Sequence, residues 1–387
     1  MHLHKLRFSL LFTLFFFSMI AFVDAQNITF EGTVVDAESN QAVEFANIGV
    51  TNTYIGTASD FNGEFAMTMS AEYKEHKMRI SAVGYQAKEV RISELSQQSP
   101  LIIKLFPQSY GIGQIEILAD SKRLNGIIKT AHNMIKDNYI GPHQAKAYLS
   151  QTINGAHTEA AIELNDVLGY RDRSKGKALK DLRFSTKEVR RNFDVVGLNT
   201  GLLHTQEMLD FDIVRLNGNI LTTETLDLFT LEEKDGIVEN GDSIMIIHYQ
   251  LPEPTLASTG DVRCTSYEGL LFINTQDYAI VRNEIQVKSS AYYHGGRGTM
   301  AAEKSINNRD YHYQVITSYR KFNNLYGLSK IEYKSSYQNL DQQEQQTTIN
   351  LVIFQSEAGK TDTTAGRDYF NKNEENANFW KRFNIPK

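Results

Sequence analysis

Apolar and polar positions alternate with a period of two through most of the chain, and that pattern predicts a mainly β protein. The first group of runs lies between Asn27 and Leu105: Ile28 to Asp36, Ala42 to Val50, Glu64 to Met69, Lys77 to Val83, Ala87 to Ile92 and Leu101 to Leu105. Short strands with turn residues between them predict an antiparallel β-sandwich of about 80 residues. Within it, Ser59-Asp60-Phe61-Asn62-Gly63-Glu64-Phe65 joins two runs at an Asn-Gly pair. That pair tolerates the positive φ of a tight turn and is a hairpin signal. Asp60 is expected to accept backbone amides two residues on, while Phe65, Ile48 and Val83 supply core.

The period then changes. Ile127, Ile128, Ala131, Met134 and Ile135 recur at helical spacing and predict an amphipathic helix over 120–140, with Asp120 or Ser121 as its N-cap. A connector, 107–119, precedes it. His132 falls between the stripe positions and reads as a boundary residue. From 145 to 356 alternation returns and predicts a larger antiparallel β domain with one face covered. In Ser243 to Leu251, residues Met245, Ile247, Tyr249 and Leu251 share a face. Ala279, Val281, Ile285 and Val287 oppose Arg282, Glu284, Gln286 and Lys288. Hairpins are expected at Asn274 to Asp277 and around Asn323-Asn324 and Gly327. Leu328, Lys330, Glu332 and Lys334 are placed on one face, opposite Ile331, Tyr333 and Tyr337. Tyr170 to Lys180 and Tyr293 to Asn308 read as exposed loops, and Thr200 to Leu209 as a short helix. A polar tail, 357–387, carries Phe379, Trp380 and Phe383, which are expected to dock back on the body.

Composition narrows the class. With 21 Phe, 19 Tyr and only 6 Pro, the chain suits half-buried pleated faces. A formal charge of −6 gives no electrostatic reason to expect nucleic acid as a partner. Lys5 and Arg7 precede an apolar run from Phe8 to Val23, and Val23-Asp24-Ala25 offers small residues for cleavage, so 1–25 reads as a signal peptide. The run is short for a bilayer, and no later stretch is long enough to be a membrane helix, so none is expected in the mature chain. Cys264 is the only cysteine, which leaves an exported chain without an internal disulfide and reads as a small buried hydrophobe.

Gly32-Thr-Val34-Val-Asp36, Ala46-Asn47-Ile48, Gly56-Thr57, Asp60, Gly63-Glu-Phe65 and Ser81-Ala-Val83-Gly84-Tyr85 agree in order with one family. Residues 27–106 resemble the carboxypeptidase regulatory-like domain, a transthyretin-like sandwich that also precedes many TonB-dependent outer-membrane transporters. Val43 stands where that family commonly has Pro. Gly269-Leu-Leu-Phe-Ile-Asn274 followed by Asp277-Tyr-Ala-Ile280 looks like the repeated hairpin of lipoprotein-carrier half-barrels. The first resemblance implies an accessory module rather than a peptidase activity, since fold analogy does not carry function.

Candidate chemistry is sparse. His204-Thr-Gln-Glu207 has a zinc-ligand spacing, but ten His residues give roughly 0.7 such matches by chance, and the pair is rejected as a metal site. Asp60 and Asn62 offer too few oxygens for Ca²⁺. Gly295-Gly296-Arg297-Gly298 lacks the Lys-Ser/Thr ending of a phosphate loop. No catalytic residue and no cofactor is expected. Tyr54, Asp60, Asn62 and Tyr85 are the candidate contacts of a binding surface. The resulting expectation is a non-catalytic exported protein, periplasmic or outer-membrane-associated in a Gram-negative envelope. It would bind or scaffold a partner protein, a glycan or an apolar ligand. The alternatives are a hydrolase with its site in the β domain, or a small outer-membrane β-barrel.

Overall fold

A computed structural model describes residues 27–53, 55–60, 62–82, 84–95, 100–108, 121–170, 182–191, 204–216, 218–239, 241–259, 263–290, 309–338, 343–359, 361 and 379. The expected leader, most of the connector, Asp120, the Gly295–Gly298 run, Trp380 and Phe383 lie outside them.

The N-terminal module consists of β1 (Asn27–Asp36), β2 (Asn47–Val50), β3 (Gly56–Ala58), β4 (Glu64–Ser70), β5 (Lys77–Ser81), β6 (Lys88–Arg91) and β7 (Leu101–Leu105). They form two sheets, β4-β1-β7 and β3-β2-β5-β6. Alternation in β1 and β4 turns Phe30, Val34, Phe65 and Met67 inward against Ile48, Met78 and Ile80 of the other sheet. One pairing departs from the antiparallel pattern: β7 lies parallel to β1, with Gly32 opposite Leu101.

The Asn-Gly signal is corrected in kind. β3 and β4 belong to different sheets, so Asp60 to Gly63 is a tight arch between layers and not a hairpin. Its local chemistry is as expected. Asp60 Oδ1 accepts the amides of Asn62 and Glu64, both at 2.8 Å, and Gly63 N–H returns to the Asp60 carbonyl at 3.0 Å. Gly63 has φ +75°, and a Cβ there would sit 2.4 Å from the Val34 carbonyl oxygen, so glycine is required.

Helix α1 (Ser121–Asn138) follows, burying Leu124, Ile128, Ala131 and Ile135. It packs on one face of a ten-stranded antiparallel sheet in the order β10-β9-β8-β17-β16-β15-β14-β13-β12-β11. The strands are β8 (His143–Ile153), β9 (Ala156–Asp166), β10 (Leu182–Arg191), β11 (Thr230–Glu239), β12 (Asp242–Leu251) and β13 (Cys264–Asn274). The remaining four are β14 (Ile280–Ser289), β15 (Arg309–Phe322), β16 (Leu325–Gln338) and β17 (Glu344–Ala358). Among the described residues β10 and β11 are the two edges and do not pair with each other, so the sheet is open where a barrel would close. The face carrying α1 is called inner here. It is continued by helical turns at Thr205–Leu209 and Ile213–Leu216, which bury Met208, Leu209, Ile213 and Val214 in the same core.

Bulges move several faces away from the simple alternation. The β13–β14 register passes from Phe272↔Arg282 to Ile273↔Ile280 and skips Val281, which packs against Phe272 on the outer face as well as against the inner core. The β15–β16 register skips Ser329, so Leu328 belongs to the inner core while Lys330 faces outward, against the shared face expected for them. Asn323 and Asn324, at φ 49° and 71°, close that hairpin as a two-residue turn, and Gly327 lies within β16. Tyr170, expected in an exposed loop, is 2% exposed and packs against the Tyr139 ring in a tilted pair. Phe379 docks as expected, against a cluster that joins the module to the sheet.

Candidate functional site

The four residues proposed as contacts do not form a site. Tyr54 lies outside the described residues. Asn62 is exposed, but it serves the arch through its own backbone amide. Asp60 is 1% exposed, and burial raises its carboxyl above the ordinary range despite its two amide bonds; Glu64 and Glu159 add to the rise. Tyr85, expected to be exposed, is half-buried at the edge of the module core, and its hydroxyl hydrogen-bonds Asp36. His204 is 3% exposed, 3.9 Å from Glu207, and its amide donates to Gln151 Oε1. Among the described residues no group of three or more His, Cys, Asp or Glu is arranged to hold a metal ion.

The densest set of titratable groups lies under the inner face. Arg215 donates from Nε to Asp166 Oδ2 at 2.7 Å and from Nη2 to Asp166 Oδ1 at 2.9 Å. Asp212 receives the hydroxyls of Tyr170 at 2.5 Å and Tyr319 at 2.7 Å, and the Arg215 amide at 3.1 Å. Burial opposes the Asp166 charge, but the hydrogen bonds and charge of Arg215 prevail and hold its carboxyl below the ordinary range. At Asp212 burial prevails over the hydroxyl bonds and the carboxyl is raised. Asp166, Asp212, Arg215 and Tyr170 are each 2% exposed or less. A perturbed cluster of this kind is often catalytic in a cleft. Here it is enclosed and mutually satisfied, which makes it a structural brace between β9, β15 and the Ile213–Leu216 turn.

An accessible concavity is on the other side of the sheet, where the module sits. Register places Phe272, Arg282, Ser318, Lys330, Val352, Tyr148 and Ala161 in one row across seven strands. Phe45 and Ala58 of the module close over the Tyr148, Ala161, Val352 and Phe354 end of it. Phe45 takes φ +53°, a strained backbone for an aromatic residue, and is held there by Ser59, whose hydroxyl accepts the Ala46 amide and donates to the Val43 carbonyl, both at 2.8 Å. Where this contact ends, β2 and β5 stand away from β12 to β16 and leave a cleft of about 480 Å³. The volume is in the range of small-ligand sites, roughly 300–1,000 Å³.

Six basic residues line it, Lys77 and Arg79 from the module and Arg282, Arg320, Lys321 and Lys330 from the sheet, together with Glu89, Glu239 and Asp242. Five of the six have a carboxylate partner. Lys77 meets Glu89 at 3.1 Å, Arg79 meets Glu239 at 3.1 Å across the two units, Arg282 meets Glu284 at 3.1 Å, Lys321 meets Asp277 at 3.5 Å and Lys330 meets Glu332 at 2.8 Å. Arg320 differs. It donates from Nη1 to Asn47 Oδ1 at 2.6 Å and from Nη2 to the Phe354 carbonyl at 2.9 Å, all neutral acceptors, and its guanidinium lies 4.5 Å from the Phe322 ring centre. Gly49 makes room for it, since a Cβ there would lie 2.3 Å from Nη1. Burial, helped by the charge of Arg79, brings the Arg320 guanidinium down to about 9.

None of these six basic residues belongs to a motif. An Arg in the outward slot of a strand reads as solvated surface, and nothing local shows that another domain covers it.

Comparison with known proteins agrees with the module and adds little for the rest. The family model described as CarboxypepD_reg-like domain matches residues 30–113, so the resemblance read from the Gly, Asp and aromatic positions is borne out. No curated protein matches the chain. Solved structures similar to it include a putative outer membrane lipoprotein-sorting protein domain from Vibrio parahaemolyticus, at 8% identity and TM-score 0.28, covering 63% of this chain and 95% of that one. A DUF1329 family protein from Desulfovibrio piger ATCC 29098 gives 9% identity and TM-score 0.27, covering 60% and 92%.

Proposed function

We propose that the chain is a non-catalytic binding protein of a Gram-negative cell envelope, and that its ligand occupies the cleft between the module and the outer face of the sheet. The observation that carries this is the composite wall: Asn47, Gly49 and Arg79 from one unit face Arg282, Arg320 and Lys330 from the other. Ligand sites occur preferentially at such domain boundaries. The enclosure of the Asp166, Asp212 and Arg215 cluster supports a binding role over hydrolysis, because a substrate has no approach to those groups. The open sheet edge gives no support to the outer-membrane barrel. The envelope assignment rests on the leader pattern at 1–25 and on the module, whose family also stands before outer-membrane transporters.

The test is native mass spectrometry of the mature chain purified from periplasm, beside a Ser318→Trp variant that fills the cleft. A co-purifying small molecule present on the wild-type chain and missing from the variant is expected. Turnover of peptide, ester or glycoside substrates that follows the purified chain would overturn the reading.

A further inference from the structure

Arg320 is a cation that folding has partly withdrawn from water without supplying an anion. Transferring a charge into a protein interior costs several kcal/mol unless it is paired, and buried charges are ordinarily paired or bound to metals. The other basic residues of the cleft obey that rule, each with its carboxylate within 4 Å. The groups facing Arg320 are Asn47 from β2, the Ile353 and Phe354 carbonyls from β17, the Phe322 ring from its own strand, and Arg79, which is a like charge from β5. Two guanidinium groups therefore share one end of the cleft, and among the described residues no carboxylate lies within ion-pair distance of Arg320. Arg79 is accessible, with 34% of its side chain exposed, and is paired with Glu239. Ser318, Lys321 and Thr53 add hydroxyl and ammonium groups to the same lining.

We propose that this end of the cleft binds a small-molecule oxyanion, a carboxylate or phosphate group seated between Arg320 and Arg79. The planar fork of a guanidinium matches both groups in geometry, and charge-assisted hydrogen bonds are the strong ones. The anion supplies the counter-charge that the fold lacks, so binding stabilises the joint between the two units as well as filling the cleft. The inference rests on the binding reading above and names the chemistry of the same site. The anion has two possible sources, a free metabolite or a lipid headgroup, and the experiment separates them.

Inorganic phosphate, citrate and phosphatidylglycerol vesicles are titrated into the mature chain at constant ionic strength, with chloride as the reference salt, by calorimetry and thermal denaturation. The expected result is saturable binding of phosphate or citrate with a rise in midpoint temperature that chloride does not reproduce. Arg320→Gln should weaken it roughly tenfold or more, as loss of a charged donor implies. Arg79→Gln, on the accessible side, should weaken it in the same direction and keeps the test open if Arg320→Gln does not fold. Lys334→Gln, away from this cleft, should change nothing. Binding confined to vesicles and lost in Arg79→Gln assigns the anion to a lipid headgroup. Absence of binding to every probe, or equal binding by wild type and both arginine variants, overturns the proposal. A neutral molecule that still co-purifies would then leave the broader binding reading intact, whereas substrate turnover would remove it.

Discussion

Two arginines on opposite faces of one sheet are treated in opposite ways. Arg215, under the inner face, is 2% exposed and bidentate to Asp166, with Asp212 against its backbone. Arg320, on the outer face, is half-buried against neutral carbonyls and a second cation. Inside, the electrostatics are complete and the groups are sealed. Outside, they are incomplete and open to a cleft. A brace must satisfy its own charges, while a site can leave a charge for its ligand to satisfy.

The contrast is broken most forcefully at the inner pair. Arg215→Met leaves Asp166 buried without its partner and should cost about 3–5 kcal/mol of stability in chemical denaturation, while the double variant Asp166→Leu/Arg215→Met should recover much of the loss. Arg320→Met should cost less, about 1–2 kcal/mol, because lost hydrogen bonds are offset by removing a desolvated charge. If Arg320→Met proves as costly as Arg215→Met, the outer arginine is a brace as well.

Acid sharpens the same comparison. Asp166 is held below its ordinary value, so it contributes stability above the unfolded-state value of about 3.9, lost as pH falls toward the folded value. Asp212 is raised, so its contribution is present in acid and lost as pH climbs through its folded value. Removing Asp166 as Asp166→Asn should flatten the acid limb of a stability–pH curve. Asp212→Asn should flatten the limb above it and change stability at neutral pH by only about 0.5–1 kcal/mol, since an amide still engages Tyr170 and Tyr319. Opposite signs in the two variants are the result to look for.

Much of the architecture was written in local pattern. The sandwich, the helix stripe around Ile128 and Ile135, and the Asn274–Asp277 hairpin all follow from periodicity and turn chemistry. What periodicity could not show were places where one residue is skipped, at Val281 and Ser329, because a bulge leaves the composition unchanged while reversing every face beyond it. The arch at Asp60 to Gly63 has the residues of a hairpin turn, and only the partners of β3 and β4 distinguish the two. The site was less legible still. Lys330, 4% exposed beneath the Phe45 ring, and Arg320 occupy slots that alternation assigns to solvent. A covering domain 273 residues away in sequence, as Asn47 is from Arg320, leaves no mark on a strand except an unusual neighbour, and for Arg320 that neighbour is the phenyl ring of Phe322.

The pairing of β8 with β17 places the first strand of the large sheet beside the last, from Ile153 opposite Thr347 to His143 opposite Ala358. The row that meets Phe45 runs through both, at Tyr148 and Val352. A chain made from its N-terminus can therefore assemble the module early, but it has no platform to rest it on until residue 358 has emerged. Contacts of such long sequence separation form slowly and leave unpaired edges in the meantime. For this molecule the interval falls before the module–sheet cleft exists at all, so the cleft is among the last parts of the fold to be born.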